Sequence, residues 1–203
     1  MKNIIFDFDG VLGDSYDACH YASCILDNLT PEDCHRSLQR YFSTPHFSRS
    51  RTFTPEYLSE RQEWMREFEK HQIEKGFSLF DGFINEVSTI SDARFSIVTS
   101  GSKGYITPLL KPVSLSFSHI LDFFDHHSKE TKVEMICQDW RICPKEVYYV
   151  TDTQSDVLEL REIMDPAKII GCAWGYQGYD ALQEVLPSRQ IMQDFSDVHM
   201  MIT

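Results

Sequence analysis

The sequence predicts an α/β protein built on a doubly wound parallel sheet, with a small helical domain inserted after the first strand. Three observations carry that expectation. Near the N-terminus a short apolar run, Asn3 to Phe8, stops at Asp7-Phe8-Asp9-Gly10, as a buried strand stops at a glycine turn. From about Leu79 onward, short apolar runs alternate with stretches of helical periodicity, the pattern of a parallel sheet wrapped by helices. Between these two regions the signals are helical only. A Rossmann-like core is therefore expected over 1–14 and 79–203, and a helical cap over 15–78.

The elements follow in order. Thr30-Pro31-Glu32-Asp33 supplies an N-cap, a proline at the first helical position and acids in the first turn, all helix-start signals. Thr54-Pro55-Glu56 repeats that start. The helix it opens brings Tyr57, Leu58, Trp64, Met65 and Phe68 near one face, and Gly76 is its stop. Trp64, Met65 and Phe68 are read as packing of the cap rather than as a substrate box. Phe83 to Ile90 reads as helix, and Phe95 to Val98 as a strand ending at Thr99-Ser100-Gly101. A helix to Leu110, a shorter strand at His119 to Phe123 and a helix at Glu130 to Trp140 follow. Val147 to Val150 is a strand closing at Thr151-Asp152, before a helix from Ser155, a strand at Lys168 to Cys172 and a last smaller helix and strand.

A chain of 203 residues buries roughly 70% of its unfolded surface and needs no disulfide or structural metal to fold. Its net charge of −12 opposes general binding to nucleic acid or anionic membranes, and no apolar run reaches the ~20 residues of a membrane span. Asp7 and Asp9 interrupt what would be the apolar stretch of a secretion signal. The six cysteines, Cys19, Cys24, Cys34, Cys137, Cys143 and Cys172, show no C-x-x-C spacing and are read as reduced core thiols rather than a disulfide framework or zinc site. A cytoplasmic protein, monomeric or weakly dimeric, is the expectation.

Three strands end in polar, reactive residues: Ile4-Ile5-Phe6-Asp7, Ser96-Ile97-Val98-Thr99 and Tyr148-Tyr149-Val150-Thr151-Asp152. In an open parallel sheet ligands bind outside the carboxyl ends of the strands, so these residues can converge. Asp7 and Asp9 share one side of an extended chain, and Asp156 starts the helix after Asp152. Carboxylates crowded into one crevice hold a cation or have a raised pKa. Oxygen-only ligands select a hard ion, and Mg²⁺ is the usual partner of phosphate substrates.

Asp7-Phe8-Asp9-Gly10-Val11-Leu12 resembles the D-x-D-G-[TV]-L signature of the haloacid dehalogenase-like phosphohydrolases. The resemblance extends over nearly the whole chain. Thr99 is similar to that family's second motif, with Ser100 as its competitor. Lys129 fits the third, with Lys132 as its competitor; the 23 residues from Lys129 to Asp152 suit the helix-plus-strand spacing. Thr151-Asp152-Thr153-Gln154-Ser155-Asp156 fits the fourth, and Phe80-Asp81-Gly82 looks like the return from a cap inserted after the first strand. Thr151 stands where many relatives have glycine, and Glu130 where many have proline.

The resemblance implies a Mg²⁺-dependent phosphatase of the phosphoglycolate or phosphoserine phosphatase type, acting on a small phosphorylated metabolite. It implies that Asp7 is the nucleophile and forms an aspartyl-phosphate, and that Asp9 is the acid and then the base. Mg²⁺ falls to Asp7, the Asp9 carbonyl and Asp152, with Asp156 orienting Lys129 or a metal-bound water. Thr99 and Lys129 hold the phosphoryl oxygens, and Gly10 permits close backbone approach. A phosphomutase and a non-catalytic phosphoryl-binding regulatory protein are the alternatives. A dehalogenase would need neither Asp9 nor Asp152. The adjacent His126 and His127 cannot easily converge on a metal.

One feature lies outside those motifs. Cys34 to Pro55 has no acidic residue but contains Arg36, Arg40, Arg49 and Arg51 with His35 and His46. Such a stretch creates a local positive field. Arg49 and Arg51, between two predicted cap helices, are the candidates for binding a second anionic group of the substrate.

Overall fold

The computed structural model describes residues 1–45 and 54–202. Arg49, Arg51 and His46 lie outside the described residues. The first strand, β1 (Lys2–Phe6), has Ile4, Ile5 and Phe6 fully buried, as expected where a central strand is covered on both faces. The chain then turns through Gly10 into β2 (Gly13–Asp14) and the helices α1 (Tyr16–Leu26), α2 (Pro31–Ser43) and α3 (Pro55–Lys75). It returns through β3 (Ser78–Leu79), antiparallel to β2 with Gly13 opposite Leu79 and Asp14 opposite Ser78. Entry and exit of the helical insert are thus side by side.

The remainder alternates: α4 (Asp81–Ser88), β4 (Ala93–Val98), α5 (Lys103–Leu110), β5 (Phe117–Leu121), α6 (Lys129–Trp140), β6 (Val147–Thr151), α7 (Gln154–Leu160), β7 (Ile169–Cys172), α8 (Gly178–Gln183), β8 (Ile191–Met192) and α9 (Val198–Met201). The strands form one six-stranded parallel sheet in the order β5-β4-β1-β6-β7-β8. Period-two alternation sends Ile4, Phe6, Ile97, Val150 and Ile170 into the core on one face. Ile5, Val98, Tyr149 and Ile169 enter the core on the other. A third, smaller core of Cys19, Ala22, Phe42, Met65 and Phe68 joins α1, α2 and α3. Among the described residues, no helix is long and apolar enough to cross a membrane.

Some boundaries differ from those the sequence predicts, each for a local reason. The fifth strand ends at Leu121 rather than Phe123, because the Asp122 carboxylate accepts hydrogen bonds from the backbone N–H groups of Phe124 and Asp125 and turns the chain. The sixth helix starts at Lys129, since Ser128 caps it by accepting from the N–H of Thr131. The first cap helix carries no side-chain cap, although Ser15 stands at its N-cap position.

Candidate active site

The carboxyl ends of β4, β1 and β6 lie next to one another in the sheet, so Thr99, Asp7 and Asp152 meet at one edge although 145 residues separate the last two. Asp7 is placed by its N–H, which donates to the Val150 carbonyl at 2.9 Å. Its Oδ1 accepts from the Phe8 N–H at 2.8 Å. Lys129 Nζ donates to Asp7 Oδ2 and to Asp156 Oδ2, both at 2.6 Å, with all three side chains buried. Thr151 donates to that same Asp156 oxygen at 2.8 Å, so its hydroxyl secures the lysine's second carboxylate.

The two competing lysines go to different places. Lys132 is buried one helical turn beyond Lys129 and donates to the backbone carbonyls of Thr99 and Asp122. Thr99 is buried; its hydroxyl donates to Asp9 Oδ2 at 3.5 Å and accepts from the Gly101 N–H at 2.9 Å. Ser100 is exposed yet lines the same cavity. Gly10 has a φ of +75°, and a β-carbon there would lie 1.9 Å from Asp152 Oδ2. Only glycine allows both that backbone conformation and that approach.

Three residues around Asp9 escape sequence reasoning. Tyr105, on α5, donates to Asp9 Oδ2 at 2.5 Å. Ser15 donates to Asp9 Oδ1 at 2.7 Å, and Tyr176 Oη lies 2.7 Å from Ser15 Oγ. The missing cap on α1 is explained here, because the Ser15 hydroxyl is spent on Asp9.

A cavity of about 220 Å³ opens above these groups, its floor including Asp7, Asp9, Thr99, Lys129, Asp152 and Asp156. Its other wall is the cap: Asp27 at the C-terminal end of α1, Leu38 and Tyr41 from α2, and Arg61, Trp64, Phe68 and Gln72 from α3. Arg61 lies 3.8 Å over the Trp64 ring, which stacks on Phe68. Met65 and Phe68 do pack the cap core, but with Trp64 they also line the cavity. A layer of three helices has little interior of its own, so its packing face doubles as the chamber wall.

Residues 4–161 match the model of a family described as haloacid dehalogenase-like hydrolase. The chain belongs to the haloacid dehalogenase-like hydrolases. It is an enzyme of that class, and its six-stranded parallel sheet with flanking helices is the fold of its structural neighbours. A hydrolase from Pseudomonas syringae superposes with a TM-score of 0.72 at 18% identity, covering 98% of this chain and 97% of that one. A predicted phosphatase from Clostridium acetobutylicum gives 0.71 at 19% identity, over 98% and 96% of the two chains. A predicted phosphoglycolate phosphatase from Haemophilus somnus gives 0.67 at 16% identity, over 100% and 98%. No curated protein matches the chain in a sequence comparison.

The electrostatics of this hydrolase are dominated by burial of its carboxylates. Burial pushes the Asp7 carboxyl well above the usual carboxylate range, against the pull of Lys129. Burial raises Asp9 as well, opposed by the hydrogen bonds from Tyr105 and Ser15. Asp152 is pushed up to about 7, chiefly by burial, with the Tyr176 N–H pulling it down and Asp156 pushing it up. For Lys129, burial disfavours the charge, but Asp156 and Asp7 overcome it and hold the ammonium well above its ordinary range. Asp152 Oδ2 accepts from the Tyr176 N–H at 2.7 Å, whereas its Oδ1 is buried without a hydrogen-bond partner. An orphaned carboxylate oxygen beside other hard oxygen donors fits a divalent cation of the Mg²⁺ kind.

Proposed function

We propose that this hydrolase is a Mg²⁺-dependent phosphomonoester phosphatase that works through an aspartyl-phosphate on a small phosphorylated metabolite. The observation that carries this reading is the meeting of Asp7, Asp9, Thr99, Lys129 and Asp152 on the floor of one chamber roofed by the cap. The predicted phosphatases among its structural neighbours support it.

Asp7, fixed through its own N–H and its Oδ1, presents a carboxylate oxygen to phosphorus and takes the phosphoryl group. Lys129, pinned by Asp156, and the Thr99 hydroxyl hold the equatorial oxygens, where transition-state charge is spread. Asp9, whose carboxyl burial shifts upward, gives its proton to the leaving oxygen. As a carboxylate it then takes one from the water that cleaves the acyl-phosphate. Tyr105 and Ser15 fix its orientation in both halves of the cycle. The Asp7 carboxylate, the Asp9 carbonyl and Asp152 would hold Mg²⁺, which screens the repulsion between the nucleophile and the phosphate's charge.

The leaving group lies against the cap. Trp64, Phe68 and Leu38 offer it apolar and aromatic surface, and Arg61 a cation. Gln72 Oε1, buried and without a hydrogen-bond partner, offers an unmet acceptor to a hydroxyl or amine. Such a chamber suits a compact metabolite rather than a polymer.

Asp7→Asn is the deciding variant. It keeps the volume of the side chain and removes the nucleophile, so phosphate release from an aryl phosphate with Mg²⁺ should fall below about 1% of wild type. An unchanged melting temperature shows that the fold persists. Turnover well above that level in a folded Asp7→Asn protein overturns the mechanism. Release of inorganic phosphate, rather than transfer to a sugar phosphate, separates the phosphatase from a mutase.

A further inference from the structure

The Cys24 and Cys34 thiols and the His20 imidazole converge on the seam between α1 and α2 with their ligand atoms all within 4.8 Å of one another. We propose that they form a second metal site, independent of the catalytic floor, for a thiophilic d¹⁰ cation, Zn²⁺. His20 and Cys24 are four apart on α1 and so share one face of the helix. Cys34 reaches them from the first turn of α2 and is fully buried.

The local geometry puts the three ligands within reach of one ion. His20 Nε2 lies 2.9 Å from the Pro31 carbonyl oxygen. Donation from that nitrogen leaves Nδ1 with its lone pair, and a carbonyl partner of this kind is how metal-binding imidazoles are usually oriented. Cys24 Sγ sits 3.8 Å from His20 Nδ1 and 3.7 Å from Nε2, beside the ring rather than on the Nδ1 lone-pair axis. Zn–S and Zn–N bonds of about 2.3 and 2.0 Å at a tetrahedral angle place sulfur and nitrogen about 3.6 Å apart. The separation already suits a shared ion, and a turn of the imidazole about its Cβ–Cγ bond brings the Nδ1 lone pair onto it. Cys34 Sγ is 3.5 Å from the His20 carbonyl oxygen, a weak contact that a metal–thiolate bond readily displaces. His20 and Cys24 are only partly buried, which leaves an entry path and room for a water as fourth ligand.

The chemistry selects the ion. Two thiolates and an imidazole bind Zn²⁺ strongly and Mg²⁺ hardly at all, so the two sites do not compete for their ions. Burial and the neighbouring Cys24 push the Cys34 thiol up to about 12, so uptake of metal must release its proton. The site's consequence is local, since the chain needs no metal to fold: it clips α2 to α1. Both helices supply the cavity wall, through Ser23 on one and Leu38 and Tyr41 on the other.

Co²⁺ titration in excess Mg²⁺ and a thiol-free reductant tests this, because Mg²⁺ fills the oxygen site and leaves the thiols to cobalt. The wild-type protein should develop one equivalent of thiolate-to-cobalt charge-transfer absorption together with the visible bands of a tetrahedral ion, and Zn²⁺ should abolish both. Cys24→Ser and Cys34→Ser should lose them, and His20→Ala should weaken binding by at least about tenfold, the scale on which even outer groups act. Cys143→Ser, a change at the exposed cysteine, should leave them intact. Absence of charge transfer in the reduced wild type overturns the proposal without requiring any variant to fold. Bands that survive in both Cys24→Ser and Cys34→Ser overturn it equally. Neither result touches the phosphatase reading, which rests on Asp7.

Discussion

Lys132 is buried with its Nζ on the carbonyls of Thr99 and Asp122, yet it is no part of the ion pair next to it. Burial, and then the charge of Lys129, pull its ammonium down to about 7, against the opposite pull of Asp7, Asp122 and Asp156. The folded protein thus gives up this proton near neutrality, while the unfolded chain keeps it to about 10.4. Between those values the unfolded state binds more protons, so the stability attributable to Lys132 rises with pH. Urea midpoints of wild type and Lys132→Met, measured from pH 6 to 9, should therefore diverge in favour of wild type as pH increases. A difference that stays flat removes the assigned titration. At this scale the sequence announces only what strand ends make periodic. Asp7, Asp9, Thr99 and Asp152 stand where apolar runs stop. Tyr105 and Ser15 reach Asp9 across 96 and 6 positions of the chain and Tyr176 reaches Ser15 across 161, and no spacing encodes such contacts. The spacing of Lys129 to Asp152 favours Lys129 over Lys132, and it is Lys129 that meets the carboxylates of Asp7 and Asp156.

The cap helices show how function competes with local structure. Thr30 accepts from the Asp33 N–H and Thr54 from the Tyr57 N–H, each followed by a proline at the first helical position, and both starts are plain in the sequence. The start of α1 is hidden because Ser15 makes no cap bond and donates to Asp9 instead. Two conservative changes should therefore behave oppositely. Thr30→Ala should cost about 1 kcal/mol of stability and leave kcat unchanged. Ser15→Ala removes no cap, so its denaturation midpoint should stay close to wild type while kcat falls. Chemical denaturation and steady-state kinetics on the same two proteins decide the matter; a large stability loss in Ser15→Ala with unaltered kcat contradicts it. The shifted end of β5 has a similar origin, since the Asp122 side chain takes over the backbone donors that would have continued the strand.

Across the molecule, the floor of the chamber belongs to the sheet and the roof to the cap, so the proposed function assigns chemistry and selection to different parts of the chain. Replacing Trp64 with alanine strips aromatic surface from the roof and leaves every floor contact in place. Its KM for a metabolite that fills the chamber should rise at least several-fold, while kcat for a small aryl phosphate should be nearly unchanged. Equal losses on both substrates would show that the roof also positions the floor. The architecture itself was legible because strand and helix periodicities alternate after Leu79. The dual use of Trp64, Met65 and Phe68 was not, because an apolar stripe looks the same whether it faces another helix or a chamber.

The short antiparallel pair that brings Gly13 opposite Leu79 bears on how such a chain can diversify. It fixes both ends of the insert at one point, so what lies between them is, to the core, merely a long loop. Closing a loop costs free energy that grows only with the logarithm of its length. Some sixty inserted residues thus burden the sheet by about 2 kcal/mol more than a six-residue turn would. A tether this cheap lets the roof be lengthened, shortened or rebuilt while the pairing of β1 with β4 and β6 goes on undisturbed. Substrate preference can then drift by insertion and replacement on a catalytic floor that never has to fold anew.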